Sequence, residues 1–129
     1  MEPPWSPPSA IGTSPAATAA ALGAGIALAD IVRGTGILLI SDEVYEHMVF
    51  DADKGQMHQS AVRFPGLAAR AFVVSSFGKT YHVTGWKVGY VAAPAPLAEE
   101  FRKVHQFNVF TVNTPVQHAL ASYMAEASH

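Results

Sequence analysis

The chain has 129 residues, half of them hydrophobic and 14% charged, with a formal net charge of −2. This length suits one domain, and the apolar fraction is that of a chain with a core rather than a disordered one. Lys and Arg are scattered, so no basic patch attracts a nucleic-acid backbone or an anionic membrane surface. The absence of cysteine excludes disulfides and thiolate chemistry. The six histidines show no ligand spacing, so no metal is expected. The longest apolar stretch, residues 16–29, is shorter than the ~20 residues a membrane helix needs. Only Glu2 carries charge ahead of it, unlike a secretory leader. A soluble, cytoplasmic protein is the expectation.

Residues 1–15 are proline-rich without apolar periodicity and predict a loop or tail. Residues 16–33 are Ala-rich and predict a helix, weakened by Gly23 and Gly25 and stopped by Gly34. Residues 36–41 (GILLIS) are an apolar run between turn signals, the pattern of a strand buried on both faces. A polar loop follows over 51–60. FPGLAAR at 64–70 predicts a surface turn into a second buried strand, AFVVSS at 71–76. The long connection between these strands favours a parallel crossover. GWKVGYVAA at 85–93 alternates and predicts a third strand. Pro94 and Pro96 precede a helix at about 97–108, and a last helix starts at Pro115, where a missing N–H costs nothing. The middle of the chain is therefore α/β.

Ligands of open parallel sheets gather outside the carboxyl ends of the strands. The first such end reads Ser41-Asp42-Glu43-Val44-Tyr45 and the second Ser75-Ser76-Phe77-Gly78-Lys79, followed by Lys87. An acid, a phenol, a hydroxyl and two lysines thus converge on one rim. A lysine set among Phe77, Gly78, Tyr81 and Trp86 is expected to be desolvated, which lowers an amine's pKa toward nucleophilic use.

DEVYEH, with the Lys of SSFGKTYHVTGWKVGY 37 residues after its Asp (79 − 42), resembles the class I and II pyridoxal-phosphate aminotransferases of fold type I. VHQFNVFTVNTPVQHAL at 104–120 adds a resemblance to their methionine and kynurenine branch. The likeness runs from about Ala29 to Met124. It implies that 29–129 are part of a large domain with a mixed, mostly parallel sheet and flanking helices, and that 1–28 are a separate, poorly ordered or non-homologous segment. It implies pyridoxal 5'-phosphate as cofactor, with an amino acid of methionine or aromatic type and a 2-oxo acid as substrates. Lys79 matches the lysine that holds the cofactor and later shuttles a proton at the substrate's α-carbon. Asp42 matches the carboxylate that keeps the pyridine nitrogen protonated, which makes the ring an electron sink. Tyr45 matches the phenol on the ring oxygen O3′. Ser76 and Lys87 match phosphate-binding positions, Lys87 acting as a point charge where many relatives carry arginine. Phe110 matches a loop residue that lines the neighbouring subunit's substrate pocket, which implies a homodimer.

The family's glycine-rich phosphate loop, ring-stacking aromatic and substrate-carboxylate arginine have no counterpart here, and Ser9–Thr13 lacks the Asn of an Asn-Pro-x-Gly turn. The chain thus reads as a truncated, poorly active or inactive piece. A β-lyase acting on C–S bonds and a non-catalytic remnant without cofactor remain as alternatives, because the pocket decides the reaction. Beside these residues, Glu43 and Glu46 are expected to face solvent. Trp86, Tyr81, Phe101 and Val104 are expected in the core, and His47, His82 and His105 in structural hydrogen bonds.

Overall fold

The computed structural model describes residues 15–50 and 52–127. The loop expected over 1–15 lies outside them except for Pro15, as does Ser9–Thr13. Helix α1 spans Pro15–Val32 and strand β1 Leu39–Asp42. A one-turn helix, α2, covers Pro65–Ala68 and leads into β2, Ala71–Ser76. A second one-turn helix, α3, covers Phe77–Thr80, and β3 spans Gly89–Ala92. Helices α4, Ala95–Asn108, and α5, Thr114–Glu126, complete the described chain.

The sheet order is β1-β2-β3. β1 runs parallel to β2, with Leu39 opposite Ala71 and Asp42 opposite Val74. β3 returns antiparallel, with Gly89 opposite Ser76. The structural relatives described below share this α/β architecture, so the sequence expectation for the fold class holds.

One face of β2 carries the core. Ala71 and Val73 are buried with Val32 of α1, Ala61 and Leu67 of α2, and Ala29, Leu39 and Phe64 pack around them. The opposite face is only half-buried, with Phe72 against Phe101 of α4 at 6.0 Å. β1 departs further from the expected two-faced burial, since Ile40 is 73% exposed. The apolar run predicted burial, but β1 pairs only with β2 among the described residues and so forms an edge. Phe101 and Val104 are likewise exposed rather than core. Burial depends on an opposing layer, which helical spacing cannot supply by itself.

α4 begins at Ala95, two residues ahead of the expected start, because Pro96 fits a first helical turn. At the start of α5, the Asn113 side chain accepts from the Val116 N–H at 3.2 Å and satisfies an otherwise unpaired donor.

Two features of the α1 region were not legible as such. Gly25 lies under the Phe64 ring, where a Cβ would overlap the ring atoms, whereas a Cβ at Gly23 would meet nothing within 4 Å. Arg70 reaches back across the sequence, and its Nη1 donates to the carbonyls of Val32 (2.9 Å), Thr35 (2.9 Å) and Ile37 (3.2 Å). The supposed surface turn thus supplies the charged donor for the carboxyl end of α1 and the strand approach.

Gly23→Ala is expected to stabilise the chain by about 0.5–1 kcal/mol through helix propensity. Gly25→Ala should fall short of that gain because Phe64 must move aside. Urea unfolding of the two variants checks the difference. By the same measurement Arg70→Ala should cost about 1.5–3 kcal/mol, the range for a charged hydrogen-bond donor.

Candidate functional site

Parallel pairing brings the carboxyl ends of β1 and β2 to one rim of the sheet. Asp42 closes β1 with an exposed carboxylate whose Oδ1 accepts from the Val44 N–H at 3.2 Å. The chain then turns tightly: the Glu46 N–H donates to the Glu43 carbonyl (3.0 Å) and the Met48 N–H to that of Tyr45 (2.8 Å). Tyr45 projects from this turn, and Lys79 Nζ sits 5.8 Å from its ring centroid, within cation–π range.

Lys79 is held by one turn of helix between two backbone constraints. Ser76 caps α3, its Oγ accepting from the Gly78 N–H at 3.1 Å. Gly78 is buried, and a Cβ there would stand 2.8 Å from the Thr84 Cα. That approach lets the Gly78 carbonyl accept from the Val83 N–H (3.0 Å) and the Thr84 hydroxyl (3.1 Å). The lysine itself is exposed, not embedded among aromatics as the sequence suggested. Phe77 and Tyr81, four residues apart, stack at 6.3 Å. They pack against Tyr90 (5.3 Å from Phe77) and Tyr123 of α5 (5.3 Å from Tyr81). Residue 79 lies between them in sequence and therefore faces the other way on the turn. Trp86 is also half-exposed rather than core.

Strand register separates the two serines. Ser75 is 3% exposed on the face that carries Ala71 and Val73, while Ser76 lies on the opposite, half-buried face. Lys87 is exposed with a left-handed backbone (φ 56°), its N–H closing the turn onto the Thr84 carbonyl at 3.3 Å. It stands two residues before Gly89, the partner of Ser76, and so belongs to the same rim. Phe110 does not join the group. It follows α4, is 78% exposed and also has a left-handed backbone (φ 66°).

The acids expected to face solvent do the reverse. Glu43 is 5% exposed, and its carboxylate accepts from Ser41 Oγ (2.9 Å) and the Ala61 N–H (2.9 Å) and hydrogen-bonds His58 Nε2 (2.8 Å). Burial by itself would raise its pKa. The hydrogen bonds from Ala61, His58, Ser60 and Ser41 outweigh burial and hold it below the usual carboxylate value. Such a group contributes stability that is complete above the ordinary carboxylate range and is lost as pH falls through the folded pKa. Glu46 is half-buried and accepts from Ser75 Oγ (3.2 Å) and the Tyr90 hydroxyl (3.3 Å). Burial raises the Tyr90 pKa against a smaller opposing effect of Ser75, and the nearby Glu46 raises it further. Of the three histidines given structural roles, His105 stacks on Phe101 at 6.0 Å, His47 stands 3.7 Å from Glu46, and His82 is exposed. His58 and Tyr90 escaped the sequence reading. Their acidic partners lie 15 and 44 residues away, so no local pattern marks them.

The family model for aminotransferase class I and II matches residues 13–128. Over 104 residues the chain is 56% identical to the methionine aminotransferase of Escherichia coli, covering 80% of this chain and 26% of that protein. It is 40% identical over 94 residues to human kynurenine–oxoglutarate transaminase 3, covering 73% of this chain and 20% of that protein. The crystal structure of an Escherichia coli protein with a methionine aminotransferase function superposes with a TM-score of 0.73 at 55% identity, over 78% of this chain and 26% of that one. A putative kynurenine aminotransferase of Saccharomyces cerevisiae superposes at 0.72 with 30% identity, over 80% of this chain and 24% of that one. The chain thus spans about a quarter of the length of these relatives. Among the described residues no helix is long and apolar enough to cross a membrane. The match over nearly the whole chain, together with a lysine, a phenol and a carboxylate on one strand-end rim, makes this chain a member of the class I and II aminotransferases, a pyridoxal-phosphate-dependent family.

Proposed function

We propose that residues 29–129 form the lysine-bearing part of a large domain that binds pyridoxal 5'-phosphate and serves transamination of an amino acid of methionine or aromatic type to a 2-oxo acid, in the cytoplasm. The observation that carries this reading is the placement of Lys79 Nζ over the Tyr45 ring on the rim that Asp42 closes. The names of the relatives favour methionine or kynurenine-type substrates.

The residues present fit the cofactor by their donor chemistry. Lys79 offers an exposed primary amine to hold an aldehyde carbon, and Tyr45 a phenol to donate to a ring oxygen. Asp42 offers a carboxylate, aimed by the Val44 N–H, to keep a proton on a ring nitrogen. Ser76 and Lys87 stand at the Lys79 end of the rim as candidate phosphate contacts. The cofactor, when bound, supplies an electron sink for charge developing at the substrate's α-carbon. The chain's own contribution is to move the α-proton with the Lys79 amine and to orient the reactants. Phe110, exposed beyond α4, suits the lining of a second subunit's pocket in a homodimer.

Borohydride reduction of the chain with pyridoxal phosphate, followed by mass-spectrometric mapping, should label Lys79 alone, and Lys79→Ala should abolish labelling with the fold intact. Scattered or absent labelling would leave a remnant without a cofactor site. Incubation with methionine or phenylalanine and a 2-oxo acid should give the new 2-oxo acid. Release of thiol, pyruvate and ammonia from an S-alkylcysteine would mark β-elimination instead. Asp42→Asn should slow α-proton exchange, followed by deuterium uptake, by roughly 10- to 1000-fold, corresponding to about 1–3 pKa units of lost charge stabilisation.

A further inference from the structure

The turn that presents the rim has two kinds of residue. Asp42 and Tyr45 are exposed, while Glu43 and Glu46 turn inward to separate anchors. Glu43 ties the end of β1, at Ser41, to the middle of the long β1–β2 connection, at His58 and the Ala61 amide. Its own N–H donates to the Val74 carbonyl of β2 at 2.8 Å. Glu46 ties the far side of the turn to Ser75 of β2 and Tyr90 of β3. Two carboxylates of one turn, anchored to different elements, therefore leave the intervening Tyr45 little freedom to swing.

We infer that Glu43, through His58, and Glu46, through Ser75 and Tyr90, are positioning residues that set where Asp42 and Tyr45 stand on the rim. The inference rests on the proposal that Asp42 and Tyr45 hold the cofactor. Neither glutamate touches a reacting group. Each acts through the backbone of the turn, whose own hydrogen bonds run from Glu46 N–H to Glu43 and from Met48 N–H to Tyr45. Glu43 arrives already ionised, because its donors hold the carboxyl below its ordinary pKa.

The test uses the partners rather than Glu43, whose truncation would strand the buried Ala61 amide and endanger the fold. In the cofactor-free protein, His58→Ala and Tyr90→Phe should each speed hydrogen exchange at the Glu46 and Met48 amides about tenfold, a change of about 1.4 kcal/mol in opening. Exchange in β2 should not move, and His58→Gln, which keeps a donor, should restore the slow rate. In the protein loaded with pyridoxal phosphate, the pH midpoint of the cofactor's visible band should shift in His58→Ala and return in His58→Gln. Unchanged exchange at Glu46 and Met48 in folded His58→Ala and Tyr90→Phe would overturn the inference. Faster exchange with an unmoved midpoint would overturn it too, by reducing the anchors to support of the fold. If the wild-type chain takes no cofactor at Lys79, the proposed function fails, and with it the clause on which this inference rests. The exchange rates would still tell whether the two acids hold the turn.

Discussion

The parallel pairing of β1 with β2 is the constraint from which the rest follows. Two parallel neighbours deliver their carboxyl ends to the same edge, so Asp42 and Ser76 end strands on one rim although 34 residues (76 − 42) separate them. The same pairing demands a long return path, since a hairpin cannot join parallel strands. Residues 43–70 form that path, and its closure entropy must be offset by fixed contacts. The contacts are concentrated at few points: the Glu43 carboxylate with His58 and Ala61, and the buried Leu67 and Ala61 on β2.

Electrostatics and packing divide the labour along this path. A carboxylate removed from water is costly unless its lone pairs are filled, and Glu43 fills them with donors from Ser41, His58, Ser60 and Ala61. Arg70 plays the matching role for backbone carbonyls, gathering the end of α1 and the lead into β1 around one guanidinium nitrogen. Exposed charge, by contrast, sits where chemistry is proposed, at Asp42, Lys79 and Lys87. Charges tied to several partners, Glu43 and Arg70, therefore hold the scaffold, while Asp42, Lys79 and Lys87 remain exposed on the rim.

The hydrophobic pattern is only partly used within the described residues. Ile37, Leu38 and Ile40 near the sheet edge, and Val104, Phe107 and Phe110 in and beyond α4, are all more than half exposed. Sequence periodicity reports which face of an element is apolar. Whether another layer covers that face is a separate fact, and for β1 and α4 the two diverge. This explains why the three strands and the three long helices matched expectation in type while the burial assigned to Ile40, Phe101 and Val104 did not. The one-turn helices α2 and α3 were not expected, and β3 starts only at Gly89.

The sequence by itself determined the order of the three strands and three long helices, the parallel pair, and the motif residues that carry the resemblance to the family. These signals are local: Pro115 opens a helix, and Asp42 and Tyr45 follow closely on an apolar run. Only the tertiary structure decided which acids turn inward and whether Lys79 is covered. Glu43 and Glu46 look like solvated charges in sequence because their partners, His58 and Tyr90, are distant along the chain and meet them through strand pairing and loop closure. Lys79 looks embedded because its aromatic neighbours adjoin it in sequence, yet helical geometry turns Phe77 and Tyr81 toward Tyr90 and Tyr123 and the amine outward. Local spacing fixes what a residue can do, and the direction it faces comes from elements that spacing does not encode.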